Sequence, residues 1–331
     1  MDEPYLDEHG ALISEEAWTS FVNGISRTSR TGTVQNHDDA VRELGLLLTR
    51  AVKRRIPNET SARLGVLFSG GVDSTLIAFL LKKAGVEFTC ITVGFQDGNA
   101  KEPEDVTESR KIAAELGFDH VVVLLNLEQV EELFKRTVKI LGPELVNVVN
   151  VGVGAVEVAA FEKGRELHLT HYCGGLGSEE LFAGYDRHEK ALAAGGYPKL
   201  HDECIAGLEN MYARDLRRDV AISKAYGVSI STPFLDEELV RYSLTIPPEL
   251  KISTSKTFTG RSRGDIPAEK TVKKLILREA AVALGLPEDA AYRPKRAAQY
   301  GSRTNNALTT LAAKRGFEFK DEYLRSLLEL L

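Results

Sequence analysis

The sequence of 331 residues contains only three cysteines, Cys90, Cys173 and Cys204, and no Cys-x-x-Cys pair. Their wide spacing and odd number argue against a structural zinc site, an iron–sulfur site and a disulfide framework. We therefore expect a protein of a reducing compartment.

Long apolar runs are missing as well. No stretch reaches the roughly 18 residues that a membrane-spanning helix requires. The N-terminal residues Met1-Asp2-Glu3-Pro4 are acidic and lack the hydrophobic segment of a signal peptide. We expect no membrane partner and a cytoplasmic location.

Basic residues are not in excess. Lys and Arg number 42 against 48 Asp and Glu, which gives a formal net charge of −6. This balance disfavours nucleic-acid binding through bulk charge, although a local basic patch stays open. The short basic run Lys53-Arg54-Arg55 is expected to be a solvated helix end.

Alternating strand and helix patterns fill the first half of the chain. Short apolar strands are predicted at Leu64–Phe68, Glu87–Phe95, His120–Leu125 and Leu167–Tyr172, with helices between them. Strands that are apolar on both faces are typical of a doubly wound parallel sheet in an α/β protein. From about Ala191 no strand is predicted, and a helical layer is expected to pack on the sheet edge.

The predicted organisation has three parts. Residues 1–60 form a lead-in segment and a helix, residues 61–190 the α/β core, and residues 191–331 a mainly helical part that completes the site. Residues 1 to about 35 show no strong period and are expected to be peripheral. The helix that follows them is expected to start near Asp38 or Asp39.

A phosphate site is predicted where the first strand ends in Ser69-Gly70-Gly71-Val72-Asp73-Ser74. Backbone N–H groups of this turn and of the helix after it would converge on one point and attract an anion. The two glycines allow close approach of the backbone, and the two serines add hydroxyl donors. Asp73 cannot bind phosphate favourably, but it suits a Mg²⁺ ion beside the phosphate.

A second glycine-rich loop follows the fourth strand and reads Cys173-Gly174-Gly175-Leu176-Gly177-Ser178-Glu179-Glu180. Acids at a helix start are ordinary capping, so this loop alone would mean little. However, ligands bind at the carboxyl ends of parallel strands, where both loops are expected to lie. Asp73 and Glu179 could then hold one Mg²⁺ ion that bridges the phosphates.

These segments resemble a known family. The first loop resembles the Ser-Gly-Gly-x-Asp-Ser loop of the ATP pyrophosphatase (PP-loop) superfamily. The stretch Gly177–Tyr185 is similar to the Gly-Ser-Asp-Glu-x-Phe-Gly-Gly-Tyr segment of the synthetase domain of asparagine synthetases and of the related β-lactam synthetase. Further matches follow in the family's order and extend the resemblance to about Ser302: Thr232–Val240, Ile246–Ile252, Glu269-Lys270, Leu277–Ala280 and Arg293-Pro294-Lys295.

The resemblance implies a ligase that uses ATP and Mg²⁺ and releases AMP and pyrophosphate. A substrate carboxylate, such as that of aspartate, attacks the α-phosphorus, and an amine then displaces AMP to leave an amide. Lys295 matches a lysine that stabilises negative charge developing on the phosphates. By the same match Asp73 and Glu179 would bind the metal, and the other positions would bind ATP: Ser69, Gly70, Gly71, Ser74, Val93, Gly174 and Gly175.

The acceptor side departs from the family pattern. Leu176 stands where asparagine synthetases have a glutamate with a proposed acid/base role, and a leucine cannot accept a proton. Ser229–Thr232 lacks the arginine that usually precedes Pro233, and residues 296–302 differ as well. Asp2 follows Met1, in place of the nucleophilic cysteine of a glutaminase domain. Nitrogen is therefore expected from ammonia, from another amine or from a separate glutaminase subunit.

Two other functions stay open. One is a PP-loop enzyme that adenylates a nucleic-acid base, for which Cys173 at the site would be of interest. The other is a nucleotide-binding subunit without catalysis, against which Asp73, Glu179 and Lys295 argue. The sequence names neither the acceptor nor the oligomeric state, so a homo-oligomer stays open too.

Overall fold

The computed structural model describes residues 3–29, 36–57, 63–98, 101–253, 271–293 and 298–329. Its centre is a parallel sheet of five strands in the order β3-β2-β1-β4-β5. The predicted doubly wound α/β fold is thereby confirmed. The strands are β1 Leu64–Leu67, β2 Phe88–Phe95, β3 Asp119–Leu125, β4 His171–Cys173 and β5 Ser229–Ser231, with a separate antiparallel pair, β6 Ile252–Ser253 and β7 Val272–Lys273.

Helices surround the sheet. None of those within the described ranges is both long and apolar enough to cross a membrane. Glycines interrupt two of them, at Gly142 in α5 and at Gly195-Gly196 in α8. The helices are α1 Glu15–Ser29, α2 His37–Arg54, α3 Val72–Lys83, α4 Glu104–Leu116, α5 Leu127–Leu145, α6 Val148–Glu166, α7 Ser178–Leu181, α8 Asp186–Met211, α9 Arg217–Tyr226, α10 Glu237–Thr245, α11 Pro248–Lys251, α12 Leu275–Ala283, α13 Glu288–Ala291, α14 Ala298–Gly301, α15 Thr304–Lys314 and α16 Lys320–Glu329.

Helices cover both faces of the sheet. Side chains of neighbouring strand residues point to opposite faces, so Val66 lies in one hydrophobic cluster and Leu67 packs against the other. The first cluster includes residues of α2, α3 and α12, and the second includes residues of α5, α6 and α15. A sheet covered on both sides needs strands without a polar face, which explains the apolar runs in the sequence.

The predicted strands lie where the sequence placed them, apart from the fourth. Residues 167–169 do not belong to β4 but close the C-terminal turn of α6, with the Leu169 N–H donating to the Gly164 carbonyl at 2.8 Å. His168 has a positive φ of 57° in this turn. The strand therefore begins only at His171.

The expectation of no strand after Ala191 is wrong. Residues Ser229–Ser231 form β5, which pairs with β4, and a second, two-residue pairing joins β6 and β7. The sequence Ser-Ile-Ser offers no apolar run because β5 lies at the edge of the sheet. Periodicity cannot detect a strand of three residues with one apolar side chain.

The expected peripheral lead-in is also wrong for residues 3–29. Trp18 of α1 is only 1% exposed, and its indole Nε1 donates to the Leu208 carbonyl at 2.9 Å. Glu3 is buried and accepts from the backbone N–H of Thr232 at 3.2 Å and from its hydroxyl at 2.8 Å. Residues 1–2 and 30–35 lie outside the described ranges.

One member of the basic run is part of the interior. Arg55 is 3% exposed, donates from Nε to Glu3 at 3.2 Å and from Nη1 to Asp236. Arg54 contacts the same Asp236 at 2.9 Å, but 44% of its side chain is exposed. The prediction of a solvated helix end is therefore wrong at Arg55, which joins the N-terminal segment to the start of α10.

These neighbouring arginines provide a matched test. Replacing Arg55 with Met leaves the buried Glu3 without its cation and Asp236 with only the partly exposed Arg54, so we expect the free energy of unfolding to fall by about 3–5 kcal/mol. Arg54→Met removes a partly exposed pair and should cost about 1 kcal/mol or less. Urea denaturation of both variants measures the difference. Equal losses would mean that Arg55 is not buried between Glu3 and Asp236.

Candidate active site

The loop after β1 is a tight turn that opens directly into α3. Gly70 has a positive φ of 68°, and a Cβ atom there would lie 3.1 Å from the backbone of Ser109. The Ser74 hydroxyl accepts a hydrogen bond from the Ser69 N–H at 3.3 Å and donates one to the Gly71 carbonyl at 3.3 Å. The N-cap of α3 is Gly71, which has no side chain to cap the helix. The positive end of the helix dipole therefore lies directly at this loop, as an anion site requires.

The loop after β4 packs against the first. The Gly174 N–H donates to the Ser231 carbonyl at 3.0 Å, which ties this loop to β5. A Cβ atom at Gly175 would lie only 3.0 Å from Asp73 Cβ, so the two loops touch. Glu179, in the short helix α7, is buried on the same side.

A lysine that the sequence analysis missed joins these two loops. The ammonium of Lys274 donates to Asp73 Oδ2 at 2.6 Å, to Ser178 Oγ at 2.8 Å and to Glu179 Oε1. Lys274 is 1% exposed and precedes α12 in a left-handed conformation with φ 58°. The only local signal is the pair Lys273-Lys274 directly before an apolar helix, and it does not distinguish a buried lysine from a surface one.

The space around this contact depends on Gly184. A Cβ atom there would lie 1.8 Å from Glu179 Oε2 and 2.4 Å from Lys274 Cε. Gly184 ends the short segment after α7, and its N–H donates to the Glu179 carbonyl at 2.9 Å. A residue without a side chain is therefore needed for Glu179 and Lys274 to meet.

Charge is nearly balanced at this point. Burial lowers the pKa of the Lys274 ammonium, and the Asp73 carboxylate opposes that shift. Two carboxylates and one ammonium leave a formal charge of about −1 among the three groups. The arrangement thus favours a cation between the two carboxylates.

The predicted Mg²⁺ ligands meet, but at the lysine. Within the described ranges no group of three or more His, Cys, Asp and Glu side chains could hold a metal ion. Mg²⁺ is commonly bound by one or two carboxylates together with substrate phosphates and water. Asp73 and Glu179 fit such an ion in the presence of a nucleotide, at the place that the ammonium now takes. The ion itself stays a prediction.

Two arginines connect the C-terminal part to the first loop. Arg293 is buried and donates from Nη1 to the Ser69 carbonyl at 2.7 Å and from Nη2 to Asp105 at 3.2 Å. Arg278 donates to the Arg293 carbonyl at 3.1 Å, which fixes the backbone at that point. Lys295 lies outside the described residues.

The remaining predicted residues surround the end of β1. Val93 is buried in β2, two residues before that strand ends, and belongs to the second hydrophobic cluster. Gly174 and Gly175 follow β4, and β2 and β4 flank β1 in the sheet. The structure thus brings these residues to one edge, while their contact with adenosine stays a prediction.

The chain was compared with known proteins. The family model described as asparagine synthase matches residues 43–200 and 193–320. A putative glutamine-hydrolysing asparagine synthetase of Methanocaldococcus jannaschii is 32% identical over 96% of this chain and 58% of its own length. The human glutamine-hydrolysing asparagine synthetase is 29% identical over 77% of this chain and 42% of its own length. The chain therefore spans about half the length of these relatives.

Solved structures show only a distant likeness. An NH3-dependent NAD synthetase from Campylobacter jejuni covers 89% of this chain and 94% of its own, with 12% identity and a TM-score of 0.35. The match to the U34-tRNA thiolase NcsA from Methanococcus maripaludis covers 88% of this chain and 80% of the thiolase chain, with 13% identity and a TM-score of 0.35. Such scores say nothing about the substrate.

Lys274→Met should uncover the repulsion between Asp73 and Glu179. We expect the free energy of unfolding to fall by about 3–5 kcal/mol, because two buried carboxylates lose their cation. Millimolar Mg²⁺ should restore part of the thermal stability of this variant and change the wild type little. The control is Lys273→Met. Because Lys273 binds the exposed Asp186, this change should lower the free energy of unfolding by about 1 kcal/mol or less. If Mg²⁺ does not raise the thermal stability of Lys274→Met, the shared cation site is contradicted.

Gly184→Ala tests the close approach itself. The new methyl group cannot fit between Glu179 and Lys274, so we expect a loss of about 1–3 kcal/mol in the free energy of unfolding. Gly24→Ala in α1 is the control, because nothing lies within 4 Å of its Cβ position and alanine favours the helix. Thermal melts compare the two. An unchanged melting temperature for Gly184→Ala would refute the packing described here.

Proposed function

Because this chain belongs to the asparagine synthase family, we propose that it is a carbon–nitrogen ligase that converts ATP to AMP and pyrophosphate. It adenylates a carboxylate and passes the acyl group to an amine. The observation that carries the proposal is the meeting of Asp73 and Glu179 at the open start of α3. A carboxylate pair beside a phosphate site suits a nucleotide that binds with a divalent cation.

Each part of the site then has a role in binding ATP. Backbone N–H groups of Ser69–Ser74 and the start of α3 hold the pyrophosphate part. Asp73 and Glu179 would hold Mg²⁺, which neutralises phosphate charge when it is bound. Val93, Gly174 and Gly175 would line the adenosine pocket. The Lys274 ammonium lies against both carboxylates and would give up this place to Mg²⁺.

The reaction runs in two steps. An oxygen of the substrate carboxylate attacks the α-phosphorus, the bond to the bridging oxygen breaks, and pyrophosphate leaves with the electron pair. The amine nitrogen then attacks the acyl carbon, AMP leaves, and the amine loses a proton to solvent. We assign Lys295 to the charge that develops on the phosphates, because Arg278 and Arg293 hold the chain before it against the first loop.

The acceptor is the less defined half. Leu176 offers no base for the incoming amine, so ammonia is not favoured over other amines. Aspartate is the carboxylate that the names of the relatives suggest. Those relatives are named as glutamine-hydrolysing. For this chain we propose free ammonia, another amine or a separate glutaminase subunit as nitrogen source.

Adenylation of a nucleic-acid base is less well supported. Cys173, the residue of interest for that function, is fully buried, and burial raises the pKa of its thiol to about 12. Such a thiol is protonated at neutral pH and does not act as a nucleophile. The net charge of −6 also disfavours a large polyanionic substrate.

Pyrophosphate release from ATP tests the proposal. We expect release only when a carboxylate is present, with AMP as the other product, using aspartate plus ammonia and then other carboxylates with amines. Lys295→Ala should lower kcat by about 10²–10³ with little change in ATP affinity, because a transition-state contact is lost. Lys314→Ala, at the exposed end of α15, is the control and should behave as the wild type.

Other outcomes of this assay would overturn the proposal. Stimulation by bulk tRNA alone would indicate modification of nucleic acid. Tight ATP binding without pyrophosphate release for any acceptor would indicate a nucleotide-binding subunit. Formation of ADP and phosphate would exclude the adenylation step.

A further inference from the structure

A cavity of about 500 Å³ lies beside the nucleotide loops. Three elements enclose it: the edge strand β5, the helix α9 and a hairpin of residues 5–13. The hairpin is held by the Ile13 N–H donating to the Tyr5 carbonyl at 3.0 Å and the Asp7 N–H donating to the Ala11 carbonyl at 2.8 Å. A cavity of this size accommodates a small organic molecule and far exceeds the volume of ammonia.

The cavity adjoins the active site through Leu176. This residue lines the cavity and directly follows Gly175, which packs against Asp73. Ser229, Ile230 and Thr232 line it as well. Two of the three places where the sequence departs from the family pattern therefore contribute to one cavity. A ligand in this space lies next to the residues predicted to bind ATP.

Aliphatic residues make up half of the cavity wall, and Tyr5, His9, Ser223, Ser229 and Thr232 supply polar groups. Such a wall favours a ligand with an apolar body and few polar groups over a dicarboxylate such as aspartate. The aliphatic lining residues are Leu6, Ala11, Leu12, Leu176, Leu216, Val220, Val228 and Ile230.

A single carboxylate faces this apolar space among the described lining residues, that of Asp219. It accepts from Arg218 Nε at 2.7 Å, and burial raises its pKa while Arg218 opposes the shift. Lys224, on the exposed side of α9, is the cationic side chain at the rim. The Arg218 guanidinium is shared among Asp219, Asp215 and Glu157. This cluster has more carboxyl groups than Arg218 can neutralise, so a further anion beside Asp219 would be repelled and an ammonium group would be attracted.

We propose that this cavity binds an organic primary amine with an apolar body, with Asp219 as its counter-ion, and that this amine is the nitrogen donor of the ligase. The second part rests on the proposed function. The size and the aliphatic wall select the body of the ligand, and the buried carboxylate selects its charge. In the second step the bound ammonium first loses one proton to solvent, and the neutral amine then attacks the acyl carbon. AMP leaves with the electron pair of the acyl–oxygen bond, and the new amide nitrogen loses its extra proton to solvent.

Calorimetric titration of the full chain tests the proposal, with 3-phenylpropylamine as the probe. The neutral control is 3-phenylpropan-1-ol, which has the same body without the charge. We expect the amine to bind about 10- to 100-fold more tightly than the alcohol, the range of a charged hydrogen bond. L-aspartate and ammonium chloride should bind more weakly than the amine.

Two variants locate the binding. Ser223→Phe fills the cavity from α9 and should weaken amine binding about tenfold or more, with ATP affinity unchanged. Ala225→Phe, on the exposed side of the same helix, is its control. Asp219→Asn should remove the preference for amine over alcohol. Because Asp219 also pairs with Arg218, that variant can lose stability, and Ser223→Phe decides the question independently.

The outcomes separate this inference from the proposed function. Amine binding that is equal in the wild type and Ser223→Phe, or preferred binding of L-aspartate in the cavity, overturns the inference. If pyrophosphate is released with aspartate and ammonia but the amine does not bind, the proposed ligase function is supported and the cavity assignment is overturned. If Ser223→Phe abolishes amine binding but no condition gives pyrophosphate release, the cavity assignment is supported and the proposed ligase function is overturned.

Discussion

The contact of Lys274 with Asp73 and Glu179 holds the site together. Asp73 lies 201 residues before this lysine and Glu179 lies 95 residues before it. A buried charge without a partner is costly, so each of the three side chains requires the other two. The loop after β1, the loop after β4 and the start of α12 are thereby bound to one point.

A second buried charge cluster lies beside the edge strand β5. Arg55 joins Glu3 to Asp236, and Glu3 in turn accepts from Thr232 beside β5. Asp236 belongs to the Pro-Phe-Leu-Asp segment by which the chain resembles its family. Its carboxylate also accepts from the Leu239 N–H at the start of α10. This motif therefore holds elements together, whereas the two glycine loops carry the groups for phosphate binding.

The sequence predicted the parts of the fold that depend on local pattern. The strand ends at Ser69 and Cys173 were found because an apolar run stops at glycines, and both glycine loops lie at one edge as expected. The sequence did not predict the strand β5, the burial of α1 or the positions of Arg55 and Lys274. Arg55 is 52 residues from Glu3 and 181 from Asp236. No periodicity along the chain encodes a pairing over such distances, and the same residue types more often lie in solvent.

Two departures from the family pattern meet in space. Leu176 and Ser229–Thr232 are more than fifty residues apart in the sequence, yet they contribute to the same cavity between β5, α9 and the N-terminal hairpin. In the third departure, residues 296–302, the described residues 298–302 are separate from this cavity. The residues proposed to bind ATP lie on the other side of Leu176, with their glycines, carboxylates and serines in the family positions. Changes at Leu176 and β5 with the phosphate loops retained are the pattern expected when the adenylation step is kept and the acceptor is exchanged.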